Sequence, residues 1–224
     1  MKKYLAEFIG TFALVFIGGG AAVFAHPWVG YVGISLSFGF AICALTAAFQ
    51  DVSGACFNPA IAVAACVSDT DKSVPFYKKI LRMTGYAAVE TLGACGAAHL
   101  LKYLYFSKAG YARTDLFAAN MVTKYPVSTG FVLEAALTLC VACAYLGTMK
   151  KQKSRAQTPL AVGLMTAACY MVALPVTKAG LNPARSTAMV LFDMENALPQ
   201  LWIFWFAPCL AGLVAGLVFR GEKD

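Results

Sequence analysis

Two copies of the tripeptide Asn-Pro-Ala interrupt a chain that is otherwise mostly apolar. They lie in the segments SGACFNPAIAV and TKAGLNPARST, at Asn58 and Asn182. Asparagine is a good N-cap, and proline is favoured in the first helical turn because its missing N–H costs nothing there. Each motif therefore predicts a helix N-terminus that presents a carboxamide and the positive end of a helix dipole to whatever lies in front of it.

The helices that these motifs start are expected to be short. The apolar runs after them, AIAVAAC and ARSTAMVLF, are not long enough to cross a bilayer. Irregular backbone at membrane depth is tolerated only where it is buried in protein or lines a water-filled cavity. Two half-length helices that enter from opposite faces would meet near the midplane, so the two breaks indicate re-entrant loops along an aqueous path.

The rest of the chain has the composition of a membrane protein. Of its 224 residues, 60% are hydrophobic and 13% are charged, and the mean hydropathy is +0.68. Apolar runs of about 20 residues, the length of a membrane-spanning helix, occur at 4–25, 32–49, 80–105, 129–148, 159–176 and 200–219. We expect residues 1–224 to form a single membrane domain with six spans.

The two motifs belong to an internal repeat. The segments AEFIGTF and LEAALTL align Glu7 with Glu134, at nearly the same offset that aligns Asn58 with Asn182. Each half, about 1–106 and 127–224, contains three spans, so the second half enters the membrane from the opposite side. Inverted repeats of this kind build a transport pathway where the two halves meet.

The net charge of +7 follows membrane topology and does not form a patch for nucleic acid. In the six-span arrangement one side holds Lys2, Lys3, Lys72, Lys78, Lys79, Arg82, Lys150, Lys151, Lys153, Arg155, Arg220 and Lys223. The other side holds Lys102, Lys108, Arg113, Lys124, Lys178 and Arg185. By the positive-inside rule, both termini are predicted to lie in the cytoplasm, with the chain in the plasma membrane.

Cysteine and histidine do not indicate a metal or redox site. Seven of the eight cysteines lie in apolar stretches, where buried packing is their usual role. Cys140 and Cys143 form a C-x-x-C inside a span without further ligands, so packing is favoured over zinc or redox chemistry. We predict no metal, no cofactor and no catalytic residue.

Taken together, the motifs resemble those of the aquaporin family of major intrinsic proteins, of the bacterial water-channel type. The segments AEFIGTF, SGACFNPA, LNPARS and LWIFWFAP match family patterns in the expected order over the whole chain, and Arg185 directly follows the second motif. The resemblance implies an all-α membrane protein with a bundle of six transmembrane helices and two re-entrant half-helices. It also implies one pore per chain, a homotetramer in the lipid bilayer, and passive conduction of water with exclusion of protons and ions.

The resemblance assigns roles to residues of both halves. The pore motifs are Asn58, Pro59, Ala60, Asn182, Pro183 and Ala184. The carbonyls expected to face the pore are those of Gly54, Ala55, Cys56, Phe57, Lys178, Ala179, Gly180 and Leu181. Glu7 and Glu134 are expected to accept hydrogen bonds from backbone N–H groups of the re-entrant loops.

The narrowest point in relatives is a ring of four side chains, which here corresponds to Phe38, Tyr170, Ala179 and Arg185. Relatives selective for water carry histidine at the position of Tyr170 and usually threonine or cysteine at that of Ala179. Glycerol-conducting relatives carry aspartate directly after the arginine, where this chain has Ser186. Because Phe38 and Arg185 match the water-selective pattern and that aspartate is absent, water is the predicted solute, with glycerol, ammonia or hydrogen peroxide as the alternative.

Two further departures from the family pattern have no assigned effect. Cys56 stands where relatives usually have histidine, and Glu90 stands where they commonly have glutamine. An ion-coupled transporter would need ionisable groups at its substrate site, but the candidates facing the lumen reduce to Arg185 and Glu90. An enzyme is disfavoured because no nucleophile and base can be placed together at the breaks.

Overall fold

Helices account for most of the described chain. The computed structural model describes residues 1–107, 118–149 and 152–221. The α-helices among them are α1 (Lys2–Gly20), α2 (His26–Phe49), α3 (Pro59–Ser68), α4 (Phe76–Phe106), α5 (Val127–Met149), α6 (Thr158–Thr177), α7 (Pro183–Met189), α8 (Met194–Ala197) and α9 (Ile203–Val218). Short 3₁₀ turns lie at Gln152–Gln157, Val190–Phe192 and Leu198–Gln200.

Four helical segments of the described residues are long and apolar enough to cross a membrane: Lys2–Phe49, Val127–Met149, Arg155–Thr177 and Met194–Val218. The first has 48 residues, which would extend about 72 Å against a hydrocarbon core of about 30 Å. It therefore supplies two spans, α1 and α2, which pack on each other. The sixth span is α4, which is less apolar because Glu90 and His99 lie within it.

The first two spans are joined without a loop. A π-helical turn at Ala21–Ala25, at the end of the apolar run 4–25, leads directly into α2. Pro27 is tolerated there because it lies in the first turn of α2. The chain kinks at Gly30, whose φ of 56° and ψ of −164° are outside the helical region and suit a residue without a Cβ.

Each Asn-Pro-Ala motif starts a half-length helix, as the sequence predicts. The helix α3 has 10 residues and α7 has 7, so they extend about 15 and 10 Å and cannot span the membrane alone. Proline occupies the first turn of both. The prediction of two re-entrant half-helices is confirmed.

The two halves of the chain pack in corresponding ways. Helix α1 packs on α4 as α5 packs on α9, and each half-helix packs on the last span of the other half, α3 on α9 and α7 on α4. Helices α2 and α6 cross at Gly39 and Gly163, where a Cβ on either glycine would lie 2.7 Å from the carbonyl oxygen of the other. These pairings support the proposed halves 1–106 and 127–224.

One end of the bundle, which we call the basic end, is tied together where α3 ends. Asp69 accepts hydrogen bonds from Lys79 Nζ at 2.9 Å and from Arg82 at 3.1 Å. Lys79 is buried and also donates to the carbonyl oxygen of Asp71 at 2.7 Å. Burial alone would raise the pKa of Asp69, but the hydrogen bonds from Lys79 and from the Asp71 N–H outweigh it and hold that pKa below its usual value.

Candidate pore and its constriction

The loops before α3 and α7 have an unusual backbone. Six of their residues have positive φ, namely Gly54 (100°), Ala55 (53°), Phe57 (49°), Lys178 (58°), Ala179 (55°) and Leu181 (51°). Five of these residues carry a Cβ, which makes the left-handed region unfavourable by roughly 1–2 kcal/mol per residue. The two loops therefore depend on hydrogen bonds from the rest of the bundle to keep this shape.

Glu7 of α1 supplies such bonds to the first loop. Its Oε1 accepts from the N–H of Cys56 at 3.1 Å, and its Oε2 accepts from the N–H of Phe57 at 2.7 Å. The carboxyl is fully buried. Since a buried carboxylate is costly unless donors surround it, the pairing accounts for an acidic residue in a membrane-spanning helix.

Glu134 of α5 holds the second loop in the same manner. It accepts from the N–H of Gly180 at 2.9 Å, from the N–H of Leu181 at 2.6 Å and from the hydroxyl of Thr177 at 2.6 Å. Gly180 is needed for close approach, because a Cβ there would lie 2.3 Å from the Phe204 ring and 2.7 Å from Glu134. The two carboxyls that the repeat aligns thus occupy corresponding places.

The asparagines of the two motifs connect the loops to each other. Asn58 Oδ1 accepts from the N–H of Ala60 at the start of α3, and Asn182 Oδ1 accepts from the N–H of Ala184 at the start of α7. Asn58 Nδ2 donates to the carbonyl of Leu181 and Asn182 Nδ2 donates to that of Phe57, each at 2.8 Å. A carboxamide has two N–H groups, so each side chain keeps one donor beyond this cross-link.

Most carbonyls of the two loops already accept hydrogen bonds. At least six of the eight that were predicted to face the pore accept a hydrogen bond from a described side chain: those of Gly54, Phe57, Lys178, Ala179, Gly180 and Leu181. A carbonyl oxygen has two lone pairs. The carbonyl of Lys178 also accepts from Arg185 at 3.5 Å, so the other five can each accept one more hydrogen bond from a solute.

The four side chains of the predicted ring come together. Phe38 of α2 and Tyr170 of α6 have ring centroids 4.5 Å apart. The guanidinium of Arg185 lies 4.9 Å from the Phe38 centroid and 5.6 Å from that of Tyr170, within cation–π range. Arg185 also donates to the carbonyl oxygen of Ala179. All four residues are buried, and Arg185 is only 1% exposed.

Asn120 is a further member of this site that the sequence did not indicate. It lies before α5, accepts from Arg185 at 2.6 Å and donates to the carbonyl of Lys178 at 2.7 Å. Arg185 Nε has no hydrogen-bond partner among the described residues. Asn120 and the carbonyls of Ala179 and Lys178 therefore hold the guanidinium through its terminal nitrogens, and Nε remains a buried donor. No motif or periodicity surrounds Asn120, so only the fold places it here.

A cavity of about 30 Å³ runs beside the two motifs, from Phe38 and Tyr170 to Cys56 and Tyr145. Asn58 and Asn182 line it on one side and Phe38 and Tyr170 on another, and most of the remaining wall is aliphatic. A water molecule needs about 10–15 Å³ measured in this way. The cavity therefore has room for about two waters between the polar groups of the two asparagines and the aromatic rings.

The two departures from the family pattern have distinct surroundings. Cys56 is buried, with Sγ 3.6 Å from the hydroxyl of Tyr145 on α5. Glu90 is fully buried on α4, close to the Glu7 carboxyl and to the backbone N–H of Asn58. Among the residues that the structure describes, no three His, Cys, Asp or Glu side chains are placed to hold a metal ion.

Comparison with known proteins agrees with this architecture. The sequence profile of the family described as Major intrinsic protein matches residues 1–219. The chain is 34% identical to Aquaporin Z of Rhodopseudomonas palustris, covering 98% of this chain and 92% of that protein. It is 31% identical to Aquaporin Z of Photorhabdus laumondii, covering 98% and 96%.

A solved structure has the same fold. The aquaglyceroporin from Plasmodium falciparum superposes with a TM-score of 0.80 over 97% of this chain and 94% of that one, at 19% identity. The predicted bundle of six transmembrane helices and two half-helices is thereby confirmed. On its sequence match and its fold, the chain belongs to the major intrinsic protein family.

Proposed function

We propose that this channel of the major intrinsic protein family conducts water passively and excludes protons and ions. The observation that carries the proposal is the closeness of Phe38, Tyr170 and Arg185 beside a cavity of about 30 Å³. That volume suits about two waters. A passing water can replace its lost hydrogen bonds at Arg185 Nε and at the second lone pairs of the loop carbonyls.

Exclusion of protons rests on the donors at the two motifs. Asn58 and Asn182 each keep one N–H beyond the cross-link between the loops, and both half-helices end there with their positive poles. A water between them must turn its oxygen toward the donors, which interrupts a proton-conducting chain of hydrogen bonds. The same field, together with Arg185, opposes cations.

A channel for another small neutral solute is the alternative. Ammonia and hydrogen peroxide are close to water in size, so the cavity volume does not separate them from it. Glycerol is disfavoured by the packing of Phe38 against Tyr170. The likeness to an aquaglyceroporin at 19% identity concerns the fold, whereas two of the relatives above 30% identity are called Aquaporin Z.

We also propose a homotetramer in the plasma membrane, with both termini in the cytoplasm. The basic end, where Lys79 and Arg82 hold Asp69, would be the cytoplasmic end. Five of the basic residues on which this orientation is based lie outside the described residues: Lys108, Arg113, Lys150, Lys151 and Lys223. Protease accessibility of terminal tags in sealed, oriented vesicles tests the orientation, and the mass of the detergent-purified protein tests the tetramer.

Stopped-flow light scattering of proteoliposomes tests the proposed solute. Under a sucrose gradient, vesicles with the protein should shrink faster than protein-free vesicles, while an internal pH dye shows no faster collapse of an imposed pH gradient. Shrinkage at the rate of empty vesicles would overturn water conduction. Shrinkage coupled to collapse of the pH gradient would indicate an ion-coupled transporter instead.

A further inference from the structure

Two cavities follow one another along the bundle. The first is the cavity of about 30 Å³ beside the two motifs, and the second, of about 150 Å³, reaches Lys79 and Arg82 at the basic end. Among the described residues, only Cys56 of the first re-entrant loop and Tyr145 of α5 line both. The lumen is thus divided at this pair, on the opposite side of the motifs from Arg185.

Both members of the pair are held in place. The hydroxyl of Tyr145 donates to the carbonyl of Gly54 at 2.8 Å and lies 3.6 Å from Cys56 Sγ, and its side chain is only 4% exposed. Cys56 is fixed through its backbone N–H, which donates to Glu7. A Cβ on Gly54 would come within 3.3 Å of the Tyr145 hydroxyl, so the loop and the phenol are in close contact.

We infer that Tyr145, packed against Cys56, forms a second narrow point that limits the rate of water passage. This inference rests on the proposed water conduction. A water that moves from the first cavity to the second passes the phenol ring and shares the Gly54 carbonyl with the Tyr145 hydroxyl. Arg185 and Tyr170 then determine which solute passes, while Tyr145 determines how fast.

A purely structural role is the alternative, because the same hydroxyl tethers the loop. Two substitutions separate these roles. Tyr145→Phe removes the hydroxyl and keeps the ring, whereas Tyr145→Leu removes both the hydroxyl and most of the bulk. Tyr86→Phe is a matched control, because the Tyr86 hydroxyl donates to the neighbouring carbonyl of Ser53 at 2.9 Å and so also tethers this loop.

The experiment is water permeability per folded protein in proteoliposomes, with glycerol permeability measured in the same preparations. We expect Tyr145→Leu to raise water permeability about two- to fivefold, equivalent to about 0.5–1 kcal/mol of barrier, and to leave glycerol excluded. Tyr145→Phe should fall between Tyr145→Leu and the unmodified protein. Tyr86→Phe should match the unmodified protein.

Unchanged or lower water permeability in well-folded Tyr145→Leu would overturn the inference, and so would equal gains in Tyr86→Phe. Entry of glycerol through Tyr145→Leu would contradict the separation of the two narrow points. If the unmodified protein does not conduct water but Tyr145→Leu does, the constriction stands and the proposed function of the unmodified chain fails. If neither conducts, both fail.

Discussion

Replacing Glu134 probes how much the second loop depends on its buried acceptor. Glu134→Ala leaves the N–H groups of Gly180 and Leu181 without their acceptor, while the Thr177 hydroxyl can still donate to the carbonyl of Ala173, 3.3 Å away. Each buried unpaired donor costs about 1–3 kcal/mol. The alanine variant should therefore lose about 2–6 kcal/mol of unfolding free energy.

Glu134→Gln should be milder. Its amide oxygen can still accept from one loop N–H, but the amide NH₂ then faces the other donor, so one hydrogen bond is lost at about 1–3 kcal/mol. The assay is the unfolding midpoint of the purified protein in detergent, with water permeability measured on the same samples. Glu195→Ala is the control, because Glu195 is exposed on α8 and its removal should change stability by less than about 0.5 kcal/mol.

The outcome that refutes this reasoning is equal loss from the glutamine and alanine variants. That result would mean that the negative charge of Glu134 matters to the channel and that the count of paired N–H groups does not. Stability of Glu134→Ala as high as that of Glu195→Ala would mean that the second loop keeps its left-handed backbone without this carboxyl.

Three other predictions follow from the same contacts. Arg185→Val should increase leakage of protons and cations by a larger factor than it changes water permeability, measured with a pH dye and light scattering on one vesicle batch; equal factors would contradict the role of its charge. Gly163→Ala should lower the unfolding midpoint by the equivalent of about 1–3 kcal/mol, because its Cβ would lie 2.7 Å from a carbonyl oxygen of α2, whereas Gly147→Ala, with its nearest contact at 3.5 Å, should not. Because the pKa of Asp69 is held below its usual 3.8, ionised Asp69 stabilises the fold above pH 3.8, and this stabilisation should be lost as acidification protonates the carboxylate. Asp69→Asn should lack this part of the acid sensitivity. Identical curves of unfolding midpoint against pH for both proteins would contradict the stabilising role of Asp69.

The elements found from sequence are those with local signals. Asn58 and Asn182 predict the starts of their half-helices, because N-capping and the placement of proline act within one helical turn. The repeat then relates Glu7 to Glu134, and both prove to hold the loop of their own half. The roles of the ring residues in selecting a solute remain predictions that the geometry supports.

The parts that sequence did not predict depend on contacts between distant segments. Asn120 is hydrogen-bonded to Arg185, 65 residues away in the sequence, and Tyr145 is hydrogen-bonded to Gly54, 91 residues away. No periodicity in the sequence reveals either pair. The kink at Gly30 was missed for another reason, since glycine is common in membrane helices and only the fold shows which one leaves the helical region.

The most direct test of the account is the glycerol permeability of Tyr170→Gly beside that of the unmodified protein, with water permeability measured in the same vesicles. The ring centroid of Tyr170 lies 4.5 Å from that of Phe38, so removal of the Tyr170 side chain should widen the constriction. We predict that the unmodified protein conducts water and excludes glycerol, and that Tyr170→Gly conducts both. Exclusion of glycerol by well-folded Tyr170→Gly would show that Tyr170 does not line the constriction, and rapid glycerol entry through the unmodified protein would contradict a water-selective channel.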